Sequence, residues 1–99
     1  RCYYAIFYAT TALLLTKGVI RARHGGTRAA LGEYFIRTGI LPRELGDLYK
    51  LLQGEREMAD YKLDADSPWE DVIEQRIEQA KEFIATIRAY LLQNGYLNQ

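Results

Sequence analysis

Apolar residues follow one another without a charge along the first stretch of the chain, CYYAIFYATTALLL, from Cys2 to Leu15. Read as a helix, this stretch is apolar nearly all the way round, and a helix without a polar face is buried on several sides. It is too short to span a bilayer, which needs about 20 apolar residues. The pattern therefore predicts a central helix, over about 1–17, and no contact with a membrane.

Two further helices are predicted from the spacing of apolar residues and from signals at their ends. Gly18 is placed to end the first helix, and 19–26 is expected to be a loop. Thr27 is the expected N-cap of a second helix over 27–38, which Gly39 ends. Pro42 fits the first turn of a third helix over 42–61. Apolar residues recur at helical spacing in both: Ala30, Leu31, Tyr34 and Phe35 in the second helix, and Leu45, Leu48, Leu52 and Met58 or Ala59 in the third.

The clearest local signal is the sequence Ser67-Pro68-Trp69-Glu70. Ser67 can cap a helix, Pro68 fits its first position, and Glu70 completes a capping box. A fourth helix is therefore predicted over 67–94, with Gly95 as its terminator. Its apolar residues alternate steps of four and three, as in the seam of an antiparallel bundle: Ile73, Ile77, Ala80, Ile84, Ile87 and Leu91.

The chain lacks the alternation of apolar and polar residues that is typical of strands. The predicted fold class is all-α: a single domain, 1–99, that forms an antiparallel up-and-down helical bundle of about four helices. Because a buried helix usually has another element in front of it, we expect a further helix to precede Arg1.

Four aromatic residues crowd the start of the first helix. Tyr4 and Phe7 are expected in the core, because aromatic residues at helical spacing pack inside a protein more often than they bind ligands. Tyr3 and Tyr8 stay open between core packing and stacking on nucleic-acid bases. This helix has more apolar surface than its neighbours can cover, which predicts self-association, most simply as a homodimer.

Charge divides the chain unevenly, although the net charge is zero. Residues 1–43 carry seven basic residues and one acidic residue, whereas 44–99 carry six basic and twelve acidic residues. The basic residues of 1–43 could bind an anionic partner on one face of the protein. The alternative is that the basic and acidic parts of the chain neutralise each other across the fold. One cysteine and one histidine predict no disulfide, no metal site and no cofactor, and the lack of a leader peptide predicts a cytoplasmic protein.

Several short patterns occur in order along nearly the whole chain. They are Arg1-x-Tyr3-Tyr4-Ala5-x-Phe7, His24-Gly25, Phe35 with Thr38-Gly39, Leu41-Pro42 with Glu44-Leu45, and Arg56-x-x-x-Asp60-Tyr61. Together they resemble the HEPN superfamily, in particular its small stand-alone prokaryotic branch. The resemblance implies a helical bundle that is usually preceded by one more helix. It also implies dimerisation and a place beside a minimal nucleotidyltransferase, in a two-gene module similar to toxin–antitoxin pairs.

Active members of that superfamily are metal-independent ribonucleases with an Arg-x(4–6)-His motif, and this chain departs from the motif. Arg56 is present and Tyr61 follows it, but no histidine stands four to six residues after Arg56. Vigorous ribonuclease activity is therefore not expected. Arg56 is the candidate phosphate-binding residue, oriented by Asp60, and the alternative is an ion pair between the two that finishes the helix.

The one histidine, His24, lies among arginines before the second helix. Imidazole titrates near pH ~6.5, so His24 is a candidate acid or base, and the alternative is a hydrogen bond that caps the helix. The candidate ligand-binding residues are Arg21, Arg23, His24, Arg28, Arg56 and Tyr61.

Three functions are consistent with these residues. The first is a component of a toxin–antitoxin-like module that binds RNA or a nucleotide without cleaving it. The second is a protein interaction module with no ligand of its own. The third is a weak ribonuclease that uses Arg56 and His24 from separate segments.

Overall fold

The structure is a computed structural model that describes residues 2–21, 23–61 and 70–97, apart from the side chains at positions 24 and 59–61. Within these ranges every regular element is helical, which confirms the predicted helical bundle. The four α-helices are α1 (Cys2–Leu15), α2 (His24–Leu31), α3 (Arg43–Tyr61) and α4 (Glu70–Gln93). None of the described helices is long and apolar enough to cross a membrane. The predicted capping box at Ser67 and Pro68 lies outside the described residues.

Glycines end α1 and α4 as predicted. Gly18 and Gly95 have φ angles of 69° and 80°, in the left-handed region that glycine adopts without the steric cost of a Cβ atom. The Val19 N–H donates to the carbonyl oxygen of Leu14 at 3.1 Å. In the same way, the Tyr96 N–H donates to the carbonyl oxygen of Leu91 in α4 at 2.8 Å. This pairing is the Schellman arrangement, which satisfies carbonyl groups that the helix leaves open.

The start of α2 differs from the prediction. The helix begins at His24, so Gly25 and Gly26 are helical, and the N-cap residue is Arg23 rather than Thr27. Thr27 is buried, and its hydroxyl donates to the carbonyl oxygen of Arg23 at 3.1 Å. Packing of the apolar face of α2 outweighs the cost of two helical glycines, which is about 1 kcal/mol each.

A π-helical turn, Gly32–Ile36, continues α2 towards α3. The Arg37 N–H closes this turn by donating to the carbonyl oxygen of Gly32 at 2.9 Å. Gly39 follows with a φ angle of 78°, which confirms it as the terminator of this helical segment.

The core is built around α1, which contacts each of the other described helices. Its buried residues are Tyr3, Ile6, Thr10, Leu13 and Leu14. α3 runs antiparallel to α1 and to α4, since its last turns contact the first turns of both. The C-terminal ends of α1 and α4 lie together, where the Tyr96 hydroxyl donates to the carbonyl oxygen of Thr16 at 3.4 Å. The predicted central position of α1 is therefore confirmed.

The aromatic residues of α1 occupy three different environments. Tyr3 is buried, whereas Tyr4 and Phe7 are half-buried and pack against the core. Tyr8 is 65% exposed and lies on an apolar stripe of α1 that faces solvent together with Ala5, Ala12 and Leu15. One side of α1 is thus uncovered within the described structure.

The predicted seam of α4 is wrong in its first two turns. Ile73 and Ile77 are exposed, while Phe83, which the seam omitted, is buried. α1 has 14 residues and spans about 21 Å, whereas α4 has 24 residues and spans about 36 Å. Because the C-terminal ends of the two helices coincide, the first turns of α4 extend past α1 and have none of it opposite them.

The predicted apolar stripe of α3 is partly wrong. Leu45 and Leu52 are buried and Leu48 is half-buried, but Tyr49 also holds a core position and Met58 is exposed. Met58 follows Leu52 by six residues, which places it on a different side of the helix. The alternative position in that stripe, Ala59, has its side chain outside the described part of the chain.

The division of α1 into a buried and an exposed face can be tested by truncation. Leu13 is 0% exposed and Leu15 is 55% exposed on the same helix. We expect Leu13→Ala to lower the free energy of unfolding by about 2–5 kcal/mol, because it removes buried apolar atoms and leaves a cavity. Leu15→Ala is the matched control and should change that free energy by less than about 1 kcal/mol. Urea denaturation followed by far-UV circular dichroism measures both, and equal effects would contradict the assignment of faces.

Candidate functional site around Arg56

Arg56 lies near the end of α3, where this helix meets the start of α1. Its Nε–H donates to the hydroxyl oxygen of Tyr4 at 3.1 Å. The central carbon of its guanidinium group lies 5.3 Å from the ring centroid of Tyr4 and 5.6 Å from that of Tyr3. Cation–π contacts contribute about 0.5–2 kcal/mol, depending on how far they are removed from water. Arg56 is therefore half-buried on an aromatic surface supplied by another helix.

Behind this surface, a second tyrosine joins Tyr3 to the core. The rings of Tyr3 and Tyr49 are 5.8 Å apart in an edge-to-face arrangement, and Tyr49 contacts Phe83 of α4 at 6.4 Å. This series of rings connects Arg56 through α1 and α3 to α4. Edge-to-face aromatic pairs add about 0.5–1.5 kcal/mol beyond the area they bury, so the surface beneath Arg56 is firmly held.

Burial keeps the hydroxyl groups of both core tyrosines neutral. It raises the pKa of Tyr49 well above its ordinary value, and the adjacent hydroxyl of Tyr3 raises it further. The pKa of Tyr3 is also raised by burial, while the Tyr49 hydroxyl and the positive charge of Arg56 act in the opposite direction. Neither tyrosine is therefore a source of negative charge beside Arg56 at neutral pH.

Arg28 of α2 is a second arginine whose charge reaches the tyrosine core. Its positive charge acts on Tyr49 and opposes the rise in the pKa of that hydroxyl. The Arg28 side chain is exposed, so it can meet a ligand from solvent. Arg28 thus acts electrostatically on Tyr49, whereas Arg56 acts on Tyr3.

Arg21 and Arg23 lie at the start of α2, and both are exposed. The aliphatic part of Arg21 lies over Gly26, where a Cβ atom would approach its Cδ to 3.4 Å. An Nη1–H of Arg21 donates to the carbonyl oxygen of Ile20 at 3.3 Å. Arg23 has an extended backbone, with φ −115° and ψ 147°, and makes no side-chain capping hydrogen bond. The helix N-terminus adds positive potential to these two cations.

Three predicted site residues have their side chains outside the described part of the chain. The backbone of His24 begins α2, and the backbones of Asp60 and Tyr61 end α3. Whether Asp60 orients Arg56, and whether His24 approaches it, therefore stay predictions.

Glu55, the neighbour of Arg56, fixes the end of α3 against α4. Both its carboxylate oxygens accept hydrogen bonds from Arg76 Nε at 3.0 Å, and Arg76 Nη2 lies 2.9 Å from Oε2. Arg76 Nη1 also donates to Gln79 at 3.0 Å. Hydrogen bonding to Glu55 raises the pKa of Arg76. The sequence pattern missed this pair because its members are 21 residues apart on two helices.

A shallow groove of about 810 Å³ runs along α3. It is lined by Asp47, Lys50, Leu51, Gly54, Glu55, Glu57 and Met58. Because Glu55 is paired with Arg76, the remaining charges of Asp47, Glu57 and Lys50 leave this groove with a small excess of negative charge. Within the part of the chain that the structure describes, no group of three or more histidine, cysteine, aspartate or glutamate side chains is placed to hold a metal ion.

A family comparison and several similar proteins cover the same region of the chain. The HEPN domain matches residues 1–94 of the chain. A UPF0332 protein of Thermotoga maritima is 34% identical over 91 residues, which cover 92% of this chain and 63% of that protein. "Putative toxin MJ0605" of Methanocaldococcus jannaschii is 35% identical over 91 residues, which cover 92% of this chain and 66% of that protein.

A second Methanocaldococcus jannaschii protein, "Putative toxin MJ0142", is 30% identical over 97 residues and 65% of its own length. The chain therefore spans a little under two thirds of the length of these relatives. No solved structure gives a significant match. The domain match extends over almost the whole chain, and the relatives are similar over the same region; the chain belongs to the HEPN domain family.

Proposed function

We propose that this chain is the RNA- or nucleotide-binding part of a toxin–antitoxin-like module and that Arg56 is its principal phosphate contact. The observation that carries the proposal is the placement of the half-buried Arg56 on the rings of Tyr3 and Tyr4. Guanidinium groups bind phosphate through charge-assisted hydrogen bonds, which are stronger than those between neutral groups. The two Methanocaldococcus jannaschii relatives, which are named putative toxins, support a role in such a module.

The basic residues of α2 extend the proposed binding surface. Arg28 is exposed on α2, and the exposed residues Arg21 and Arg23 precede this helix. We propose that an RNA strand bound at Arg56 also contacts these cations, because each can neutralise a phosphate and release counterions. His24 and Tyr61 complete the proposed ligand-binding set by their position in the sequence.

Cleavage of the RNA is not part of this proposal. A general base must come within hydrogen-bond reach of the proton it removes, and no histidine follows Arg56 at the spacing of the family motif. If cleavage were nevertheless observed and disappeared in His24→Ala, the chain would be a ribonuclease that combines Arg56 and His24 from separate segments.

Removing Arg56 tests the binding proposal. We expect Arg56→Ala to weaken binding of a fluorescently labelled single-stranded RNA by about 1.5–3 kcal/mol, the range for hydrogen bonds to charged groups. The plot of log affinity against log salt concentration should become less steep by about 0.7, because one phosphate contact is lost. Arg88→Ala is the matched control, since Arg88 is an exposed arginine on α4. His24→Ala should have a smaller effect than Arg56→Ala.

Fluorescence anisotropy at several salt concentrations measures these affinities. If Arg56→Ala and Arg88→Ala bind the RNA equally well, Arg56 is not the phosphate contact. The interaction module would then be the remaining function.

A second candidate function is that of an interaction module, as a homodimer or as the partner of a minimal nucleotidyltransferase. The exposed stripe of α1 favours it, because Ala5, Tyr8, Ala12 and Leu15 give an uncharged face to solvent. Apolar patches of this kind mark protein contacts when they are large and continuous. We propose that two copies of the chain associate through this stripe. It lies on α1, the helix for which the sequence predicts more apolar surface than its neighbours cover.

Charges placed on the stripe test self-association. We expect the parent protein to sediment as a dimer at micromolar concentration, and Tyr8→Glu combined with Leu15→Glu to sediment as a monomer, because the paired carboxylates would lose their hydration. Ile20→Glu is the control, since Ile20 is 77% exposed but lies outside α1. A monomeric parent would exclude the homodimer, and a dimeric double variant would exclude the stripe.

A further inference from the structure

Tyr4 makes two different contacts with Arg56. Its hydroxyl oxygen accepts the Nε–H at 3.1 Å, and its ring lies 5.3 Å from the guanidinium carbon. The hydrogen bond fixes the rotation of the guanidinium group, and the ring contact keeps that group over the ring of Tyr4. We propose that Tyr4 is a positioning residue that holds Arg56 for its ligand, an inference that rests on the proposed function of Arg56.

The ring of Tyr4 is itself held in place by its neighbour. Tyr3 meets Tyr4 edge-to-face, with centroids 5.5 Å apart and planes at 69°. Tyr3 is 3% exposed and also contacts Phe7 and Tyr49, at 6.2 Å and 5.8 Å. The Tyr4 hydroxyl is therefore presented from the packed start of α1 rather than from a mobile loop.

Positioning matters for an arginine because its long side chain loses much rotational freedom when it binds a ligand. An arginine already held by a fixed acceptor has lost part of that freedom in the unbound protein, so less is lost on binding. The acceptor at Nε also determines which edge of the guanidinium group turns towards Tyr4. This restraint gives Tyr4 an effect on affinity without touching the ligand.

Tyr4→Phe separates the hydroxyl from the ring. It keeps the aromatic surface and the cation–π contact but removes the acceptor for Arg56 Nε–H. We expect the dissociation constant for the labelled single-stranded RNA to rise about 3–10-fold. The hydrogen bond that is lost holds Arg56 and does not itself contact the RNA. In the Arg56→Ala background the same substitution should change it by less than about 2-fold, because the positioned group is gone.

Tyr8→Phe is the matched control. It removes a tyrosine hydroxyl from the same helix, where the side chain is 65% exposed and its described ring contact is with Phe7. Because Tyr8→Phe removes only the hydroxyl and keeps the ring, which is the part that could stack on a base or pack on the stripe, it should leave the dissociation constant unchanged in both backgrounds. Thermal denaturation of every variant identifies any loss of affinity that comes from unfolding.

A measurement on the free protein makes the test independent of the ligand. The Nε–H signal of Arg56 in a proton–nitrogen spectrum should exchange slowly with water in the parent and in Tyr8→Phe. In Tyr4→Phe it should exchange faster or disappear, because its acceptor is absent. An unchanged Nε–H signal in Tyr4→Phe would overturn the proposal.

The two proposals fail differently. If Arg56→Ala binds RNA normally, the proposed function is wrong, whatever Tyr4→Phe does. If Arg56→Ala loses affinity but Tyr4→Phe does not, Arg56 is a ligand contact and Tyr4 is not its positioning residue. Equal losses from Tyr4→Phe in the parent and in Arg56→Ala would show that Tyr4 acts on binding by some route other than Arg56, which also overturns the proposal.

Discussion

Burial of the uncharged helix α1 is the constraint on which the rest of the structure depends. Its buried face, which includes Ile6, Leu13 and Leu14, can leave water only if the other helices pack around it, and α1 contacts all three of them. Apolar burial contributes about 25 cal/mol per Å², so a helix with several fully buried side chains outweighs local defects elsewhere. The helical glycines of α2 and the π-helical turn after it are such defects, and both are accommodated in the packed bundle.

The same burial produces the candidate site. The first turn of α1 is aromatic, and its packing against α3 brings the Tyr3 and Tyr4 rings beneath Arg56. Tyrosine suits this position because its ring is apolar while its hydroxyl can accept a hydrogen bond from a cation. A phenylalanine in place of Tyr4 would pack equally well but would leave the Nε–H of Arg56 without this acceptor. Stability and a precise position for one arginine thus come from the same residues.

Charge is arranged around this framework by the helices that carry it. Three basic residues of the first part of the chain, Arg21, Arg23 and Arg28, are exposed on and before α2, whereas the groove along α3 carries a small excess of negative charge. Glu55 faces α4 and is bound by Arg76, which joins the two helices next to Arg56. Adjacent positions on α3 therefore serve different purposes: Glu55 fixes the helix end, and Arg56 turns towards the tyrosines of α1.

The sequence by itself determined the helical class and the terminators Gly18, Gly39 and Gly95, because caps and helical periodicity are local properties. Arg56 became the candidate residue through the resemblance of the chain to the HEPN superfamily. The sequence did not determine where α2 begins, which turns of α4 are buried, or that Tyr49 and Phe83 belong to the core. Those features depend on the relative lengths and contacts of helices, as when α4 extends past α1 and exposes Ile73 and Ile77. The contact between Tyr4 and Arg56 joins residues 52 positions apart, and no local pattern encodes such a pair. Only the packing of α1 against α3 decided it, because a hydrogen bond between distant residues exists only once the fold has placed them side by side.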